Sequence, residues 1–178
     1  LYYFLTFLSG ARRQIFDVFA GFLMVEKFGY SVAQISVLYM INHLLNIYIA
    51  PKIGSWIGRV GERKALTVEY IGLILVFSGY ALVENEHVAA ALYIIDHLFF
   101  AMAIAIKTYF QKIADPKDIA GNAGVSFTIN HIAAVVIPAI FGILWLYSST
   151  LVFFAGAGFA LCSLIACQWV NIEKQVKV

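Results

Sequence analysis

Apolar runs of about 20 residues alternate with short polar breaks along the whole chain, and about 20 residues is the helix length that crosses a bilayer core. The pattern places six such runs at about 1–25, 33–56, 65–83, 88–108, 125–146 and 151–170. The breaks carry turn and charge residues: Glu26-Lys27-Phe28-Gly29, Gly58 to Lys64, Glu84-Asn85-Glu86-His87, Asp115-Pro116-Lys117-Asp118 and Ser148-Ser149-Thr150. The runs are continuously apolar rather than alternating, so helices are expected and a barrel is not. The predicted fold class is an all-α membrane protein, one domain of six transmembrane helices over 1–178, with cytoplasmic loops at 57–64 and 109–124.

Composition agrees with the pattern. Hydrophobic residues make up 62% and charged residues 12% of the 178, half the roughly 25% of a water-soluble domain. The predicted environment is the lipid bilayer. A net charge of +2 gives no reason to expect nucleic acid as a partner. Cys162 and Cys167 lie five apart inside the last run, which suits packing rather than a disulfide framework or a metal cluster. No cofactor is implied. The sequence opens at Leu1, inside an apolar segment and with no basic leader, and is expected to be a truncation.

Lys and Arg give an orientation. With the first end cytoplasmic, the inner loops and tail hold Lys52, Arg59, Arg63, Lys64, Lys112, Lys117, Lys174 and Lys177, and the outer loops hold only Lys27. The positive-inside rule therefore puts both ends in the cytoplasm. A faint repeat also appears. Ile41-Asn42-His43 followed by Pro51 and Gly54 is echoed 88 residues later by Ile129-Asn130-His131, Pro138 and Gly142. Spans two and five run in opposite directions, so the repeat would be an inverted three-plus-three.

Charges within the runs carry the candidate chemistry. Arg12, Arg13, Gln14 and Asp17 fall at the middle of the first span, where each charge costs about 3 kcal/mol on insertion scales unless paired or wetted. Arg13 and Asp17 are four apart and can pair on one face, whereas Arg12 points about 100° away and needs another partner. Steps of three and four from Arg13 reach Thr6, Gly10, Asp17, Ala20, Gly21 and Met24, a small and polar stripe. That stripe reads either as a pathway wall or as an Arg–Asp pair that locks helices.

In the fourth span, Asp96 and Lys107 are eleven apart and share a helical face, with His97 beside Asp96. Lys107 has either a binding role or a snorkelling one. Asp96 with His97 has the chemistry of a proton carrier, as does Asp17, or of a static hydrogen-bonded pair. His43 and Asn46 in the second span, Glu69 in the third, and Asn130 and His131 in the fifth are weaker candidates that can simply bond across helix interfaces. The sixth span has no ionisable residue before Glu173, so it is expected to pack or face lipid. The grading predicts that first members of each repeat line a cavity and third members support from outside.

The turn between spans two and three reads Gly54-Ser-Trp-Ile-Gly-Arg59-Val-Gly61-Glu-Arg63-Lys64-Ala-Leu66. It resembles the signature loop of the major facilitator superfamily, G-x-L-x-D-R-x-G-R-R-x-x-L. Gly54, Arg59, Gly61, Arg63 and Leu66 match, while Trp56, Gly58 and Glu62 replace the Leu, the Asp and a basic residue. Gly29-Tyr-Ser-Val-Ala-Gln34-Ile is similar to the short connection G-[FYL]-S-x-x-Q-[IL] of the same superfamily. The resemblance spans the chain in topology and about 20 residues in motif. It implies a transporter that normally has twelve spans, of which this chain matches one half, the C-terminal one by its worn signature. A second six-helix half would come from the same chain upstream, a separate chain or a homodimer. Spans one and four would line the central cavity.

The leading functional expectation is half of a secondary transporter. It would move a small polar or anionic solute by alternating access in a bacterial inner membrane, with Asp17, Asp96 and His97 as proton-coupling candidates. The alternative is a transporter-like membrane subunit with an assembly or structural role in a larger complex. A haem-bearing subunit using His43, His97 and His131 lacks the expected histidine spacing. Hydrolytic motifs are missing from the sequence.

Overall fold

The computed structural model describes residues 1–171, and every regular element among them is helical. Lys174, Lys177 and Glu173 lie outside the described residues. The first rod is α1 (Tyr2–Gln14), a π-helical segment (Ile15–Ala20) and α2 (Gly21–Glu26) in unbroken succession. It is followed by α3 (Val32–Val60), α4 (Glu62–Leu82), α5 (Glu86–Ala101), α6 (Ile104–Ile113), α7 (Asp118–Tyr147) and α8 (Ser149–Cys167). Five stretches are long and apolar enough to cross a membrane: Val32–Val60, Glu62–Leu82, Glu86–Ile113, Asp118–Tyr147 and Ser149–Cys167. The first rod has the length, but it carries Arg12, Arg13 and Asp17 at its centre.

The connections are tighter than the sequence predicts. Between α3 and α4 the loop expected at 57–64 is helix except for Gly61, whose φ of 86° and ψ of 156° lie where a side chain is strained. The loop expected at 109–124 narrows to 114–117, because α6 runs to Ile113 and α7 starts at Asp118. Polar residues in these terminal turns mark helix that protrudes from the apolar zone, and hydropathy alone reads such turns as loop. The Gly29-to-Ile35 motif is a stop and a start. Gly29 takes a φ of 69° and donates to the Val25 carbonyl. Ser31 and Gln34 then form a reciprocal capping box at the start of α3.

The core lies between α4, α8 and the first rod, with Leu66, Leu73, Phe77, Phe153, Ala160, Ile15 and Phe16 at its centre. Gly156 is what lets Phe77 approach, since a Cβ there would sit 3.3 Å from the ring. Span three and the first rod are the best-buried helices, with span six packed between them, whereas the expectation was that first members line a cavity and third members support from outside. With no hydrophobic drive between helices in lipid, small residues at the seam decide which pair packs closest. The next most extensive pairings are α1 with α7, α3 with α5, α4 with α5, and α1 with α8. Exchanging the first rod with α5–α6, α3 with α7, and α4 with α8 leaves this set of pairs unchanged.

Candidate functional site

The π-helical segment starts two residues after Arg13 and contains Asp17. The stripe extrapolated from Arg13 at 3.6 residues per turn does not hold together: α7 covers Gly10 ahead of the π segment, and the wider π turn changes the rotation of the residues from Ile15 onward. Arg13 and Asp17 are exposed, but Thr6, Gly10, Ala20 and Met24 on the same projected stripe are buried. The i, i+4 pair itself forms, with Arg13 Nε donating to Asp17 Oδ2 at 3.3 Å and side chains 70% and 39% exposed.

Arg12 does not join that open pair. Its side chain is wholly buried against α4 and α8: Nη2 lies 3.6 Å from Glu69 Oε1, Nη1 donates to Ser163 Oγ, and the guanidinium sits 4.5 Å from the Tyr70 ring centroid. Consecutive helix residues diverge by about 100°, which sends one arginine outward and the other into the core. Three elements thus hold one ion pair, and the supposedly apolar third and sixth spans supply its partners. Sequence reading missed Ser163 and Tyr70, for which no sequence signal exists, and undervalued Glu69.

Beside Arg13 and Asp17, α3 and α5 bring two histidines together. The His43 and His97 rings meet edge to face at 5.5 Å, and Tyr39 lies 4.3 Å from His43. Phe16 of the π segment stacks obliquely on Tyr93 at 4.9 Å and on His97 at 6.2 Å. Tyr39 was missed, although its place one turn before His43 is a legible signal. The result is an open patch of Arg13, Asp17, Tyr39, His43 and half-buried His97, fed by three rods. Gln14 and Asn46 are half-buried at its flanks on the first rod and α3.

Asp96 and His97 do not form a hydrogen-bonded pair. Asp96 turns into the interior and is wholly buried, with neither carboxylate oxygen bonded to a donor. Nor does Asp96 share a face with Lys107, which is exposed. The chain leaves α-helix at Met102 and Ala103, where i→i+3 bonds to Phe99 and Phe100 tighten the winding and rotate α6 relative to α5. No Gly or Pro announces that break.

On α7, Asn130 is exposed but abuts α1, its Oδ1 lying 2.7 Å from where a Cβ on Gly10 would be. His131 bonds back to the Phe127 carbonyl at 2.9 Å and stacks on that ring. It makes no contact with the His43–His97 pair. His43 and His97 touch one another, so they do not face across a gap as haem ligands would. Among the described residues no group of three or more His, Cys, Asp or Glu gathers as a metal set.

At the opposite, turn-bearing end, the Gly54-to-Leu66 motif ties three helices. Glu62 is buried and pairs with Lys112 of α6 at 2.5 Å. Arg63 reaches Gln168 just past the end of α8, which suits a cation at a helix C-terminus. Among the described residues Arg59 bonds Ser55 of its own helix, at 3.5 Å, and Lys64 is exposed. The acid at position 62 therefore has its own cation, which compensates for the basic residue it replaces.

The comparisons with known proteins agree with this architecture. A family model described as Major Facilitator Superfamily matches residues 2–176, almost the whole chain. No curated protein and no solved structure matches. Membrane-length helices, the Gly61 turn and the family match together establish that this chain belongs to the Major Facilitator Superfamily, whose members are transporters.

Proposed function

We propose that the chain is one six-span half of a secondary transporter that moves a small polar or anionic solute by alternating access, its open patch forming part of the solute path. The observation that carries the reading is the Arg13–Asp17 pair, exposed at mid-membrane depth beside His43 and His97. Exposed charge at that depth is costly against lipid and favourable in a wet cavity. The first rod then serves as the sixth span, its charges met by Glu69 on one side and water on the other. The exchange-symmetric helix pairings support a three-plus-three inverted repeat, since a pseudo-two-fold axis demands such pairings. The lysine and arginine asymmetry supports cytoplasmic ends, in a bacterial inner membrane. A second six-helix half would close the cavity. Asp17 and His97 are the groups within the open patch able to carry a proton in coupled transport.

Uptake into vesicles tests this reading. Arg13→Ala is expected to abolish uptake of the transported solute while leaving assembly unchanged. Unaltered uptake would sink the assignment of the site.

One observation favours a second reading, a transporter-like subunit with an assembly role. Gly58 stands where the signature loop has its Asp, so the charge relay of that loop is lost. Stoichiometric recovery of the protein within a larger complex, with the patch covered by a partner, would support it.

A further inference from the structure

α3 has no acidic residue between Val32 and Val60, and its outward side changes character along its length. Leu44, Ile47 and Tyr48 are exposed and follow helical spacing, and the same side continues through Lys52, Ser55 and Arg59. It lies away from Asn42 and Ile57, the residues that α3 buries. Pro51, Lys52, Ser55, Trp56 and Arg59 line one groove of about 360 Å³, within the ~300–1,000 Å³ range of small-ligand sites. Arg59 Nη2 turns back along this groove to Ser55 Oγ at 3.5 Å. Among the described residues neither Lys52 nor Arg59 meets a carboxylate. The acid that follows in the turn, Glu62, is buried and held by Lys112.

The groove therefore offers two cations and a hydroxyl to an anion, with no acid beside them. Its depth narrows the choice of anion. The 29 residues of α3 extend over about 43 Å, more than the ~30 Å of a hydrocarbon core, so the turns that carry the groove reach the headgroup layer. Half-buried Trp56 suits that layer, where indole rings collect. A phosphate oxygen there can accept charge-assisted bonds from Lys52 and Arg59 and a further one from the Ser55 hydroxyl. A free anion would use this groove alone. An amphiphile would also cover the apolar side of Leu44, Ile47 and Tyr48, which runs on from the groove toward the bilayer centre.

We infer that the outward side of α3 is a binding site for one anionic phospholipid, its phosphate held by Lys52, Ser55 and Arg59 and its acyl chains lying along Leu44, Ile47 and Tyr48. The side is about a third of a turn from the one that carries Tyr39 and His43, so the lipid would border the proposed solute path without entering it. The orientation read from the loop charges would make it a lipid of the cytoplasmic leaflet, which is rich in anionic headgroups. Binding itself does not depend on the transport reading, because it is measurable in the purified protein without a solute.

The test is thermal unfolding of the purified protein in detergent, titrated with dioleoylphosphatidylglycerol or with dioleoylphosphatidylcholine, which has the same chains and no net charge. Phosphatidylglycerol is expected to raise the midpoint saturably, as a ligand selective for the folded state does, and to half-saturate at a concentration at least tenfold lower than phosphatidylcholine. Lys52→Gln with Arg59→Gln is expected to abolish that preference while leaving the lipid-free midpoint unchanged, since both side chains are exposed. Lys117→Gln, an exposed cation of the α6–α7 turn, is expected to keep the preference in full. Equal responses to the two lipids overturn the inference, as does a preference that survives in the double variant. An equal response to glycerol 3-phosphate would assign the groove to a free phosphate and also overturn it. A photoactivatable label on Ser55→Cys, in a variant lacking Cys162 and Cys167, is expected to cross-link to phospholipid in native membranes. Cross-linking to protein alone would give this side to a second six-helix half and overturn the lipid site. A lipid preference found together with unaltered uptake in Arg13→Ala would fault the solute site and leave the lipid site standing.

Discussion

Arg12 and Arg13 are neighbours in sequence and occupy opposite environments, and this divergence decides what each can do. Arg13 is reachable and, among the described residues, pairs with Asp17, the partner it would exchange for a solute in the proposed transport role. Arg12 is enclosed by Glu69, Tyr70 and Ser163, and its work is to bind the first rod to α4 and α8. Breaking a buried pair strands a charge, at about 3–5 kcal/mol, whereas replacing both partners by apolar groups is often neutral. Arg12→Met is therefore expected to destabilise the protein on that scale, and Arg12→Met with Glu69→Leu to recover most of the loss. Thermal unfolding of both variants measures this; equal losses would mean that the two charges are not coupled.

At the scale of elements, the turns and irregular helices matter most. Gly61 makes the whole connection between α3 and α4 in a conformation open almost only to glycine. Gly61→Ala is expected to lose about 1–3 kcal/mol, read as a lower unfolding midpoint. Gly58→Ala, where a Cβ meets nothing within 4 Å, is expected to leave the midpoint unchanged. The π segment and the tightened winding at Met102–Ala103 rotate the residues that follow them, and neither has a Gly or Pro within it. For this reason the Asp96–Lys107 face and the part of the Arg13 stripe beyond Ile15, both projected at 3.6 residues per turn, were not found, while Gly10 ahead of it is covered by α7. The capping box of Ser31 with Gln34, by contrast, is legible, because its two partners are three residues apart.

Across the whole molecule, the tightest seam joins α4 and α8, where Gly156 receives Phe77, and the first rod closes over it. Gly156→Leu is expected to disrupt this packing and reduce the yield of monodisperse protein, while Gly142→Leu, with open space around it, is expected to be tolerated. Size-exclusion profiles compare the two. Orientation is also a whole-molecule property. In a variant lacking Cys162 and Cys167, a cysteine at Glu84 is expected to react with a membrane-impermeant thiol reagent in intact cells. A cysteine at Lys117 is expected to react only after permeabilisation. The opposite pattern would invert the topology inferred from the loop charges.

The all-helical membrane character was determined by the sequence alone, since unbroken apolar runs leave the backbone only its own carbonyls as partners. The signature-like turn and the Arg13–Asp17 pair were legible too, because both are carried by residues close together in the sequence. Which arginine is enclosed, which of Asp96 and His97 faces inward, and that α4 and α8 form the best-buried seam were decided by tertiary packing. Each depends on contacts between residues far apart in the chain, such as Arg12 with Ser163 or Asn42 with Tyr93. Each also depends on local winding that departs from an ideal helix where no residue marks the departure.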